Sequence, residues 1–215
     1  MKKISYVMLM GIFLFSGSYS FAQCKLTSGD ISMLKGQDQV NLQFDYSKMA
    51  VGKFKSDEEY VNKKKADMNK HKAGSGDEWA EKWKNDRTEK YQPAFENGMN
   101  IIMEKFNFKS RENAVTAKYT LVVHTIFLEI GTSSAVGYGY GFGSVGHKET
   151  YISVSVDLIE TENPGKVLAT IDMKKENTEY NGGWLDVDIA LRIQGSYTRA
   201  GEDLAGFIYK TNYKK

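Results

Sequence analysis

Val40, Leu42 and Phe44 alternate with Asn41, Gln43 and Asp45, the period of two that a half-buried strand requires. The alternation returns at Ile152, Val154, Val156 and Leu158, set against Ser153, Ser155 and Asp157. Between them, Tyr119 to Ile130 is β-branched and aromatic with few breaks, which predicts a central strand buried on both faces. Asn163-Pro164-Gly165 reads as a turn, and Val167 to Met173 then completes a hairpin. Residues 23–38 show no period and read as an N-terminal arm.

Helical spacing takes over elsewhere. Ser56 with Glu59, and Ser75 with Glu78, make two capping boxes, in which a hydroxyl satisfies an orphan N–H and a carboxylate reaches back. The first predicts a helix over 57–72 with few apolar positions among Lys63, Lys64, Lys65 and Lys70, hence a solvated one. The second opens a helix near Asp77, and past Pro93 the residues Phe95, Met99, Ile102, Met103 and Phe106 share one buried face. Ile189, Ile193, Tyr197, Ala200, Leu204 and Ile208 step by three or four. They predict a long closing helix, with Asp186 or Asp188 as its cap and Gly195 and Gly201 as points of close packing or a kink. The order β-α-α-β-β-β-α predicts an α+β fold, a mainly antiparallel sheet with helices packed on one face, in one domain over 39–215.

The first 22 residues read as a signal peptide. Lys2 and Lys3 form a positive n-region, Ile4 to Phe15 an apolar stretch too short to span a bilayer, and Ser20-Phe21-Ala22 a small-x-small cleavage pattern. The two lysines account for the net charge of +2, so the mature chain is electrically balanced. With no overall positive field there is no case for nucleic-acid binding. Only two prolines accompany the 20 glycines and the charged share is an ordinary 26%, which excludes low-complexity disorder and collagen. Cys24, the one cysteine, excludes an internal disulfide. It opens a lipoprotein alternative, although Gln23 and Phe21 replace the residues a lipobox prefers; the other reading is a free thiol in the arm.

Residues 131–146 hold six of the 20 glycines. In Val136-Gly137-Tyr138-Gly139-Tyr140-Gly141-Phe142-Gly143 glycine alternates with large side chains, so in extended form all the rings share one face and the other is bare backbone. Tyr138, Tyr140 and Phe142 are therefore candidate partner-binding residues; the alternative is a flexible surface loop. Such a stretch is also long enough for one strand of a membrane barrel, which would require a homo-oligomeric ring. Trp79 and Trp83, four apart and flanked by Lys82, Lys84 and Arg87, are candidates for stacking on a sugar or for packing a helix on the fold. His71, His124 and His147 lack metal-ligand spacing, and His124 reads as a hydrogen-bonded core residue. Asp186 and Asp188 suit capping better than acid–base chemistry. No nucleophile elbow and no phosphate loop is present, so no catalytic residue, metal or cofactor is expected.

The strand Tyr151 to Ile159, the turn Asn163-Pro164-Gly165, the strand Lys166-Val167-Leu168-Ala169 and the helical segment Ala200-Gly201-Glu202-Asp203-Leu204-Ala205 together resemble an envelope family. That family includes the curli-secretion channel subunit and the lipoprotein activator of penicillin-binding proteins. The resemblance covers residues 117–210 and implies an anticodon-binding-like α+β domain with no catalytic residues. The expectation is an exported, non-catalytic binding or assembly factor, in the periplasm or at the outer membrane, whose partner is an envelope protein or a glycan. A carbohydrate-binding or carbohydrate-processing protein and a subunit of an oligomeric secretion pore are the alternatives.

Overall fold

In the computed structural model, residues 24–131, 149–177 and 188–213 are described. The signal segment, Tyr138, Tyr140, Phe142, His147 and Asp186 lie outside them. Among the described residues seven strands make one sheet: β1 (Lys25–Gly29), β2 (Gln39–Asp45), β3 (Ala50–Val51), β4 (Lys109–Glu112), β5 (Tyr119–Glu129), β6 (Tyr151–Glu160) and β7 (Asn163–Asn177). Their order is β1-β7-β6-β5-β2-β4, with β3 beside β5 beyond the end of β2. The β1–β7, β7–β6 and β6–β5 pairs are antiparallel, whereas β5–β2, β2–β4 and β5–β3 are parallel. Parallel neighbours need a long crossover. Helices α1 (Asp57–His71), α2 (Ser75–Asp86) and α3 (Gln92–Met103) supply it between β3 and β4.

The α+β architecture is the one expected, with helices over one face of the sheet. Leu121 and Val123 of β5, with Ile152, Val154, Val156 and Leu158 of β6, face the helices and are buried. The hairpin turn differs from expectation. Asn163 pairs with Glu160, so Thr161-Glu162 form a two-residue turn and Pro164-Gly165 lie at the start of β7, where a missing N–H is tolerated. The expected arm differs too. Residues 25–29 are the edge strand β1, and Ile31 and Leu34 just after it are fully buried.

Helix α1 begins as its capping box requires: Ser56 Oγ accepts the Glu59 N–H at 3.1 Å, and the Glu59 carboxylate accepts the Lys55 N–H at 3.0 Å. None of its residues is buried, in keeping with its lysine-rich pattern. The second box does not form. Ser75 instead donates its hydroxyl to the Lys72 and Met68 carbonyls at 2.8 and 3.2 Å, tying α2 to the end of α1 across Gly74 at φ 83°. Helix α2 then runs through a π-helical turn, Arg87–Tyr91, directly into α3. Helix α4 (Ile189–Tyr213) closes the fold, capped by Asp188, whose carboxylate accepts the Ala190 N–H at 2.8 Å. It crosses α3 where Gly98 meets the Thr198 backbone and Gly201 the Phe95 backbone.

Candidate binding surface

The sheet register assembles a polar row that no local motif contains. Asp45, His124, Ser155, Asp172 and Lys25 are successive cross-strand partners on β2, β5, β6, β7 and β1. The adjacent row is Gln43, Val122, Asp157, Thr170 and Ser28. Side chains alternate between faces along a strand, so both rows point away from the face that the helices cover. Asp45, His124, Ser155, Asp157, Thr170 and Asp172 are all half-exposed.

His124 is the centre of this surface. Its Nδ1 lies 2.8 Å from Asp45 Oδ2 and its Nε2 lies 3.3 Å from Asp157 Oδ2. Asp157 also accepts the Thr170 hydroxyl at 2.7 Å, and Asp172 accepts the Ser155 hydroxyl at 2.8 Å. Burial alone would raise the Asp45 carboxyl, but hydrogen bonds from Ser47 and His124 outweigh it and hold Asp45 below the usual carboxylate range.

Asp45, His124 and Ser155 are the residue types of an acyl-transfer triad, yet their hydrogen bonds are those of a structural network. Both nitrogens of His124 are engaged by carboxylates, and the Ser155 hydroxyl gives its proton to Asp172 rather than to a base aligned with a nucleophile. What remains is a surface richer in acceptors than donors, suited to a partner that presents hydroxyls or cationic groups.

At the end of the sheet where β5 stops and β6 starts, this polar surface turns aromatic. The rings of Phe127 and Tyr151 are 5.7 Å apart, Lys175 Nζ lies 5.8 Å from the Tyr151 ring centre, and Ile126 is 38% exposed. Lys175 holds a left-handed backbone at φ 57°, a conformation a lysine adopts only when its surroundings impose it. The segment that carries Tyr138, Tyr140 and Phe142 joins β5 to β6 and so leaves the sheet from this end.

The tryptophan candidates take the packing role. Trp83 is buried, donates its indole N–H to Asp57 at 2.8 Å, and stacks on Trp79 at 5.6 Å. Tyr60 closes the cluster edge-on to Trp79, which leaves Trp79 half-buried and Trp83 without a face for a ligand. Cys24 packs partly against the core, and its burial pushes the thiol up to about 12. Among the described residues no cluster of histidine, cysteine and acidic side chains could hold a metal ion, and no helix is long and apolar enough to cross a membrane.

No protein-family model and no curated protein matches the chain. Two similar solved structures are dodecamers of PelC from Paraburkholderia phytofirmans. One has a TM-score of 0.35 at 11% identity, covering 82% of this chain and 97% of that one. The other, a point variant, has a TM-score of 0.31 at 11% identity, covering 82% and 96%. Likenesses this slight carry no weight for function.

Proposed function

We propose that this is an exported, non-catalytic binding or assembly factor of the cell envelope, acting in the periplasm or at the outer membrane. The observation that carries the proposal is the sheet face that no described helix covers. Its polar groups are tied by hydrogen bonds, Asp45, Asp157 and Thr170 in a chain around His124 and Ser155 to Asp172 beside it, without an activated nucleophile, and it runs on into the Phe127–Tyr151 end. Rigid acceptors beside aromatic rings favour recognition over chemistry. The signal-like N-terminus and the resemblance of residues 117–210 to the envelope family support the location. The partner, an envelope protein or a glycan, spans the sheet face and the rings of Tyr138, Tyr140 and Phe142.

Replacing Tyr138, Tyr140 and Phe142 together with serine should abolish retention of envelope components on the immobilised mature chain, with the unfolding midpoint unchanged. Asp157→Asn, which keeps the shape and removes one carboxylate, should weaken retention severalfold. Full retention by both variants would overturn the proposal. Digesting the retained material with protease or with glycan hydrolases tells a protein partner from a glycan. Light scattering on the mature chain, with and without detergent, tells a monomeric binder from an oligomeric ring.

A further inference from the structure

Two β-bulges flank Ser153 of β6. On β5 the register steps from Thr125, opposite Val154, to Phe127, opposite Ser153, so Ile126 is an extra residue. On β7 it steps from Met173, opposite Val154, to Glu176, opposite Ile152, so Lys174 and Lys175 together face Ser153. A bulge sets two successive side chains on one side of its strand and re-phases the residues beyond it. Thr125 and Leu128, and Met173 and Glu176, are all buried on the helix-covered side. Ile126 with Phe127, and Lys174 with Lys175, therefore point together to the outer face. Strict alternation would have sent Phe127 and Lys175 inward, yet the Phe127 ring meets that of Tyr151 at 5.7 Å and Lys175 Nζ lies 5.8 Å from the Tyr151 ring centre. The Lys175 N–H donates to Ser153 Oγ at 3.3 Å, which fixes the second bulge. Nearby acids are already engaged: Asp172, one step back on the outer face of β7, accepts the Ser155 hydroxyl at 2.8 Å, and Glu149 accepts the Asn177 amide at 3.3 Å.

We propose that this end of the sheet holds a pyranose unit bearing a carboxylate, its C–H face against the Phe127 and Tyr151 rings and its carboxylate towards Lys174 and Lys175; the inference rests on the binding role proposed above and names the ligand class for it. Three neighbouring chemistries set that class. The half-exposed rings offer faces to C–H groups, the two exposed lysines give an anion charge-assisted hydrogen bonds, and Asp172, about 7 Å back along β7, accepts a sugar hydroxyl. The acidic row and the lysines thus orient the ring, hydroxyls one way and carboxylate the other. A protein partner needs a broader apolar contact than Ile126, Phe127 and Tyr151 provide. The backbone at Lys175, φ 57°, points the same way. Glycine adopts that conformation freely; a lysine is strained there, and the strain places a cation beside Tyr151.

Lys175→Gly separates binding from folding, because glycine suits this backbone and keeps the N–H that Ser153 accepts. The mature chain is titrated with the tetrasaccharides of galacturonate and of mannuronate, and with their methyl esters, which keep the sugar and lose the charge, while the ring-proton resonances of Phe127 and Tyr151 are followed. At least one uronate should move both rings, and its ester should bind about tenfold more weakly. K175G should lose a similar factor for the uronate and none for the ester, with an unfolding midpoint at or above that of the wild type. Should K175G fail to fold, Lys174→Gln carries the same comparison. Absence of uronate binding, equal binding of uronate and ester, full uronate affinity in the variant, or inorganic phosphate that moves the rings as far as a uronate does, overturns the inference. Its failure is distinct from failure of the binding role: a wild-type chain that retains envelope components but no uronate keeps the role and loses this ligand class, and one that retains neither loses both.

Discussion

Gly98→Ala and Gly201→Ala are each expected to destabilise the protein by about 3 kcal/mol or more, read as a lower urea midpoint. The sign is the informative part. In an exposed helix the same change stabilises by about 1 kcal/mol, because alanine loses less backbone entropy than glycine. Here a β-carbon on Gly98 would sit 2.1 Å from the Thr198 carbonyl oxygen, and one on Gly201 would sit 2.1 Å from the Phe95 carbonyl oxygen and 2.9 Å from the Met99 nitrogen. The obstructing atoms are backbone, so no side-chain rotation relieves the overlap and α3 and α4 must move apart. Phe95, Met99, Tyr197 and Leu204, all buried around this crossing, would lose packing with them. The double variant should cost less than the two single changes combined, since helices already separated by the first methyl accommodate the second. Unchanged or greater stability in either variant would mean that the helices do not cross this closely.

Alternation marks β2 and β6, each with one wet and one dry face. The unbroken β-branched and aromatic run of β5 predicted burial on both faces, but Val122, His124 and Ile126 leave its outer face half-exposed, because no described helix packs there. Edge strand β1 was illegible because it is exposed along most of its length, so no period of two is imposed on it. The crossing at Gly201 was legible, since a glycine inside a strongly periodic helix signals close approach; its partner Gly98 was not, because the periodic face of α3 is already explained without it. The π-helical turn at 87–91 leaves no mark because one extra residue per turn merely displaces the apolar face. Asp157 and Ser155 are visible as the polar half of an alternation; His124, expected as a hydrogen-bonded core residue, is hydrogen-bonded but lies on the half-exposed outer face of β5. Their assembly with Asp45, Thr170 and Asp172 depends on the register of four strands far apart in sequence, information that no local pattern carries.

Asp57→Ala is expected to cost about 2–3 kcal/mol and to loosen the first turns of α1 from Trp83 and Arg87, with a red-shifted tryptophan emission and easier quenching by acrylamide. Asp57 sits in the first turn of α1, where the helix dipole favours a negative charge. From there its carboxylate accepts the indole N–H of Trp83 and binds the Arg87 guanidinium. Helix α1 buries no residue of its own; its C-terminal half is tied to the start of α2 through Lys65, Asn69 and Ser75, and its N-terminal half is held by the half-buried Tyr60 and Val61 and by this carboxylate. The partners are costly to abandon. Trp83 is buried against Tyr60 and Trp79, and the Arg87 guanidinium, 4.8 Å from the Tyr46 ring centre, is only 18% exposed. Truncation leaves an unpaired indole N–H and a largely desolvated cation, a loss larger than any surface ion pair provides. Asp57→Asn should lie between, because it keeps an acceptor for Trp83 and removes the charge that faces Arg87. Asp67→Ala is the contrast within the same helix: its pairs with Lys63 and Lys70 are solvent-exposed and should be worth no more than about 0.5 kcal/mol. If the two alanine variants lose equal stability, the Asp57–Trp83–Arg87 contact does not hold α1, and its ties to α2 through Lys65, Asn69 and Ser75 suffice.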